Sequence, residues 1–259
     1  MNAVAGGRAY YAEKGLSAVY YDLITAHDQS LAGDIDLYAS LAPPGGEVLE
    51  LGAGTGRVAL ALAQRGLDVV GVDLAPAMLA QARAKRARLD PAGELAVEFR
   101  LGDMTALDLP RQFDLVICPF FGLAHLPAGA AWRNAFAVAA RRLKPGGQAA
   151  FHLPLRAGMA GLPPPDPKRP VARLPIGETG RQLVLYVTER RFREPPGRFD
   201  QVTDYVVADA GGATLQRSSE RLTYYAADPA PFAAAAGLVP QGEPMALGGA
   251  GAVHLFRRA

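Results

Sequence analysis

Between Glu47 and Leu153 the chain alternates two textures: short apolar runs, and longer stretches in which Ala and Leu recur at helical spacing. Short apolar runs bounded by turn residues mark strands, and a 3.6-residue apolar period marks helices. The pattern predicts strands at 47–51, 68–72, 96–100, 113–118 and 148–153, with helices at 56–65, 76–88 and 129–142. Strands that alternate with helices imply a parallel sheet covered on both faces. Upstream, residues 10–41 carry helical patterning, interrupted at His27-Asp28-Gln29-Ser30. Tyr20, Leu23 and Ile24 fall on one face, followed by Leu31, Ile35, Tyr38 and Leu41. Pro43-Pro44-Gly45-Gly46 stops that helix, and the small, polar residues 1–9 read as loose.

After residue 155 the texture changes. Prolines at 163, 164, 165, 167, 170 and 175 exclude a helix across 156–180. Residues 182–193, 199–208 and 213–225 read as three extended strands, joined at Pro195-Pro196-Gly197 and Gly211-Gly212 into a small antiparallel sheet. Asp228-Pro229 opens a short helix over 230–236 that Gly237 ends, and 238–247 and 252–256 supply two closing strands. The expected fold is therefore α/β: a doubly wound, mostly parallel seven-stranded sheet with an antiparallel insert after its fifth strand. The expected segments are 1–42, 43–155, 156–226 and 227–259.

One turn carries chemistry. In Val48-Leu49-Glu50-Leu51-Gly52-Ala53-Gly54-Thr55-Gly56-Arg57, three alternate glycines follow a strand and open a helix. Glycine lets a ligand approach the backbone, and a helix start presents free N–H groups to it. A dinucleotide fingerprint wants G-x-G-x-x-G, and here the third glycine comes one residue early. Glu50, two residues before the first glycine, would repel a pyrophosphate. Asp73, at the end of the next apolar run, is placed to accept from both hydroxyls of a ribose. An acid for a ribose without a phosphate cradle suits a nucleoside cofactor.

These residues, together with Val72-Asp73-Leu74-Ala75-Pro76-Ala77-Met78-Leu79, Leu101-Gly102-Asp103-Met104, Phe113 to Cys118 and Leu143-Lys144-Pro145-Gly146-Gly147, resemble the class I S-adenosylmethionine-dependent methyltransferases in order and spacing over roughly residues 40–155. The resemblance implies S-adenosylmethionine as cofactor and S-adenosylhomocysteine as product. It implies a cofactor site built from Glu50, Gly52, Ala53, Gly54, Gly56, Arg57, Asp73, Leu74, Met78, Gly102, Asp103, Met104, Cys118, Pro119 and Phe120, with Asp103 and Met104 at the adenine. It also makes 1–42 a helical lid and 156–226 a substrate cap. Tyr21, in the Tyr20-Tyr21-Asp22 run, resembles an N-terminal tyrosine that contacts the cofactor carboxylate. Asp73 as a helix cap, Asp103 as a turn cap, and Phe120 and Phe121 as plain core remain alternatives.

For acid–base work the candidates are His125, in the loop after the fourth strand, His152, at the end of the fifth, and Tyr21. Tyr10, Tyr11, Tyr224 and Tyr225 either line an acceptor pocket or are half-buried sheet residues. Cys118 ends a buried strand with no basic neighbour in sequence and is not expected to be a nucleophile. The 259 residues carry 27 basic and 25 acidic groups, a net charge of +2 that gives no case for nucleic acid. One cysteine and no His/Cys/carboxylate spacing leave no metal site to expect. No apolar run is long enough for a membrane span, so a cytoplasmic monomer or homodimer is expected. The layout resembles bacterial enzymes that N-methylate amino sugars and amino acids, which implies N-methylation of a small-molecule acceptor in secondary metabolism. O-methylation, and cofactor binding without methyl transfer in a pericyclase-like or regulatory protein, are the alternatives. A nicotinamide-dependent oxidoreductase conflicts with the glycine spacing.

Overall fold

The apolar strands of the central region lie where their composition requires, in a sheet with both faces covered. The structure, a computed structural model, describes residues 8–12 and 14–259; the loose segment expected at 1–9 falls, for residues 1–7, outside the described residues. The chain divides into two units, Met1–Asp28 with Ala157–Tyr224, and Gln29–Arg156 with Tyr225–Ala259. The expected segment 1–42 is thus split between the two at Asp28 and Gln29.

The larger unit holds an eight-stranded sheet in the order Leu238–Pro240, Gly251–Arg258, Leu143–Pro154, Phe113–Cys118, Glu47–Leu51, Asp68–Asp73, Val97–Leu101, with Met245–Leu247 also pairing with Gly251–Arg258. The five strands from Leu143–Pro154 to Val97–Leu101 run parallel, and Gly251–Arg258 is antiparallel to its neighbours. One strand more is present than the pattern predicts. Residues 238–247 form two short strands, because Pro240, Gly242 and Pro244 interrupt the ladder between them.

Side chains alternate across each strand, so each strand feeds two cores. Leu49, Leu51, Val116 and Cys118 pack on one side with Trp132, Phe136, Phe151 and Phe256. Val48, Leu115 and Ile117 pack on the other with Leu62, Leu79 and Tyr38. The alternation also turns the single acid of Glu47–Leu51 that lies between Leu49 and Leu51, Glu50, into the interior, where it is 2 % exposed. Chain order reverses between Glu47–Leu51 and Phe113–Cys118, the switch point at which sheets of this kind bind ligands beyond the strand ends.

The smaller unit holds five strands, in the order Arg8–Ala9, Thr214–Tyr225, Arg198–Ala208, Arg181–Arg193, Ala172–Ile176. This corrects two expectations. The helix Arg156–Ala160 fits ahead of the first proline, at Pro163. Ala172–Ile176 is a strand despite Pro175, because it lies at the sheet edge, where a missing N–H leaves no ladder bond unmade. The helices Leu16–Val19 and Tyr21–Ala26 belong to this unit, and Leu16, Tyr20, Leu23 and Ile24 cover Leu174, Leu183, Leu185, Tyr205 and Val207. Glu220, 1 % exposed, anchors this segment: its Oε1 accepts from the Ser17 N–H at 3.2 Å and the Ser218 hydroxyl at 2.5 Å.

Candidate active site

At the switch point the glycine turn and Asp73 are tied together. The Gly54 N–H donates to Asp73 Oδ2 at 2.7 Å, and the Ala75 N–H donates to Oδ1 at 2.8 Å. Asp73 thus steadies both the turn and the start of the helix Pro76–Leu89, while each oxygen keeps a lone pair for a ligand. Burial pushes its carboxyl upward, opposed by those two N–H bonds. The glycines divide by role. Gly54 has φ +54° and an ordinary 3.5 Å between the place of a Cβ and the Met78 Cε. Gly56, at φ +75°, has Phe99 Cζ only 2.6 Å from that place. Gly54 leaves room for a ligand to approach; Gly56 is glycine for packing.

Glu50 lies beneath this turn with Oε2 unbonded, and the fully buried Tyr38 hydroxyl is unbonded too. Desolvation pushes the Glu50 carboxyl up to about 8, although the Arg57 charge opposes the shift. Arg57, expected at the cofactor, is engaged by a bidentate pair with Asp34, its Nη2 2.5 Å and its Nη1 3.1 Å from the carboxylate oxygens. Asp103 accepts from the Thr105 N–H and hydroxyl, both at 2.8 Å, which is its turn-capping role; its side chain is exposed. Gly102 donates its N–H to the Asp73 carbonyl at 3.0 Å, which brings Asp103 and Met104 beside the glycine turn. The Met104 Cε is 3.5 Å from the place of a Cβ on Gly52. Ala53 and Met78 are buried, and Leu74 is 67 % exposed beside the strand end.

These residues fit S-adenosylmethionine, a cation with an ammonium, a sulfonium and a ribose diol. The turn is bare of side chains, Asp73 offers acceptor lone pairs, and a buried carboxylate oxygen lacks a donor. Burial, and behind it the nearby Glu50 and Asp73 carboxyls, push the Cys118 thiol up to about 12. Native protein should therefore resist iodoacetamide at neutral pH and be modified only on unfolding, as mass spectrometry would report. Rapid alkylation of the native chain would refute the burial of this residue.

Glu50 also makes a pH prediction. A carboxyl held protonated in the native state and ionised in the unfolded one contributes stability that is complete below its unfolded pKa. That contribution falls as pH rises from about 4.5 to about 8 and changes little beyond. Glu50→Gln should flatten this part of the pH–stability curve in thermal melts. An unchanged curve would show that Glu50 is ionised in the native state.

Beyond Cys118 the buried Pro119 leads into a strained segment: Phe120 has φ +44° and Phe121 φ +62°. Left-handed backbone at a bulky side chain costs about 1–3 kcal/mol each. The 3₁₀ turn Gly122–His125 follows and leaves His125 half-buried. His152 is fully buried, with the Phe121 ring 4.5 Å away. No sequence signal foretells a left-handed phenylalanine. Tyr21 belongs to the other unit, edge-on to Tyr11 at 5.6 Å, with Tyr10 4.1 Å from Tyr11. Burial pushes the Tyr10, Tyr11 and Tyr224 phenols upward, so these three stay neutral. Among the described residues no group of His, Cys, Asp and Glu could hold a metal ion, and no helix is long and apolar enough to cross a membrane.

Residues 48–147 match the model of a methyltransferase domain. The ubiquinone biosynthesis O-methyltransferase of Pseudomonas aeruginosa is 38 % identical over 116 residues, which are 44 % of this chain and 46 % of that protein. The chain thus spans about half the length of the curated relatives it matches. Among solved structures, the CcbJ methyltransferase of Streptomyces caelestis is 26 % identical over 96 % of this chain and 100 % of its own, with a TM-score of 0.71. The sugar N-methyltransferase KedS8 of a Streptoalloteichus species is 22 % identical over 100 % of this chain and 99 % of its own, with a TM-score of 0.72. Residues 48–147 thus match a methyltransferase domain, and they hold the acid-flanked glycine turn at the switch point of the sheet.

Proposed function

We propose that the protein methylates the nitrogen of a small-molecule amine of secondary metabolism. When bound, S-adenosylmethionine supplies an electrophilic methyl on a positively charged sulfur that departs as a neutral thioether. The glycine turn and Asp73 hold the nucleoside, Glu50 accepts from the ammonium, and Met104 and Asp103 border the adenine. The half-buried Phe120 offers a ring face to positive charge. With so good a leaving group, alignment of the acceptor and exclusion of water supply most of the rate.

The observation that carries nitrogen over oxygen is the enclosure of His152. A phenol or alcohol must lose a proton as it attacks, whereas a neutral amine needs no base. With His152 fully buried, His125 is the one strand-end histidine with exposed surface. The likeness to KedS8 takes in the whole chain, the antiparallel unit included, and supports the same reading. O-methylation is the second reading, favoured by the identity to the ubiquinone-pathway enzyme over the core.

Calorimetric titration with S-adenosylmethionine, S-adenosylhomocysteine and NADH, followed by an acceptor screen, tests both readings. Tight binding of the first two, with S-adenosylhomocysteine released in step with amino sugars or amino acids, is the expected result. Turnover of phenols alone would establish the second reading. Tight cofactor binding without product from either panel would identify a binder that does not transfer methyl.

A further inference from the structure

Phe120 and Phe121, both bulky, hold left-handed backbone side by side, a combination that persists only where the surroundings enforce it. The enforcement comes from the far end of the chain. Gly251 starts the strand Gly251–Arg258, which pairs antiparallel with Leu143–Pro154 and sets Val253 opposite His152. A Cβ on Gly251 would stand 2.4 Å from Phe121 Cε1, 2.6 Å from His152 Nε2 and 2.8 Å from the Leu153 carbonyl oxygen. The two rings therefore meet in the space that Gly251 leaves, at 4.5 Å between centroids. Gly122 closes the other side, where a Cβ would lie 3.1 Å from Cys118 Sγ. Seated there, Phe121 is 6 % exposed, and the left-handed step turns Phe120, whose ring is 5.7 Å from that of Phe121, to a half-buried position.

We infer that His152 and Gly251 form a socket that seats Phe121 and so presents Phe120 to the reacting groups, which makes His152 a positioning residue rather than a general base. The inference rests on the methyl-transfer reading for its effect on rate, but not for its effect on structure.

The test compares His152→Phe, which fills the socket and cannot titrate, with His152→Ala, which empties it, and with Gly251→Ala, which obstructs it. Crystal structures of the three variants should show residues 120 and 121 left-handed with Phe at 152 and relaxed with either alanine. S-Adenosylhomocysteine affinity, which depends on the glycine turn and Asp73, should change least. In turnover, His152→Ala and Gly251→Ala should lose about 10²-fold in kcat, the scale of a 1 Å misplacement, with a smaller change in cofactor KM. His152→Phe should lose only a few-fold and keep the acid limb of the wild-type pH profile. If Gly251→Ala does not fold, Gly251→Ala with Phe121→Leu removes the obstructing ring and should restore folding but not rate. Loss of turnover and of the acid limb in His152→Phe, with the loop unchanged, would make His152 the base and overturn the inference. An unchanged loop in both alanine variants would also overturn it. If wild-type protein transfers no methyl, the methyl-transfer reading fails by itself, and the loop conformations still decide the socket.

Discussion

Asp73→Ala should weaken binding of S-adenosylhomocysteine by about two orders of magnitude, close to 3 kcal/mol. Two losses add. The ribose diol loses a charged acceptor, worth about 1.5–3 kcal/mol. The Gly54 and Ala75 N–H groups lose their shared partner, so the glycine turn and the start of the next helix are no longer tied to each other. Asp73→Asn separates these effects, because an amide oxygen still accepts one N–H while its NH₂ faces a donor. It should fall between wild type and alanine. Calorimetry with S-adenosylhomocysteine reads the affinity, and a thermal melt shows that the variants remain folded. An unchanged Kd in Asp73→Ala would place the ribose elsewhere and remove the main support for the cofactor site.

Gly56→Ala should be the costliest single-methyl change in the turn, while Gly54→Ala should mainly affect the cofactor. Both positions have positive φ, so each alanine carries about 1–2 kcal/mol of backbone strain. At Gly56 the new methyl also meets Phe99 Cζ at 2.6 Å and the Ala82 Cβ at 3.1 Å, and overpacking of this kind adds about 1–3 kcal/mol. The sum is a large share of the roughly 5–15 kcal/mol that holds a domain folded. Urea denaturation should show the larger midpoint shift for Gly56→Ala, and Phe99→Leu in that background should recover part of it. Equal shifts for the two glycines would mean that strain alone matters and that Phe99 yields freely.

The strands and helices of the core were legible because their signals are local. Each buried parallel strand is a short apolar run, and each covering helix repeats its apolar residues every turn. The glycine turn and Asp73 were legible because both are held at strand ends by local backbone. Other features depend on partners far away in sequence. The pattern cannot say that Arg57 spends its guanidinium on Asp34, or that Pro175 sits on an edge where its missing N–H is harmless. Nor can it show that the segment before Gln29 belongs with residues 157–224.

The sequence by itself determined the α/β class, the succession of strands and helices in the core and a nucleoside-type cofactor, since periodicity and the acid-flanked glycine turn suffice for these. Only the tertiary structure separated Gly54 from Gly56, enclosed His152, and drew Phe121 into the gap left by Gly251. The first is set by Phe99, roughly forty residues along the chain, and the other two by strands about a hundred residues apart that have paired; no local pattern encodes which side chain will occupy the space another leaves.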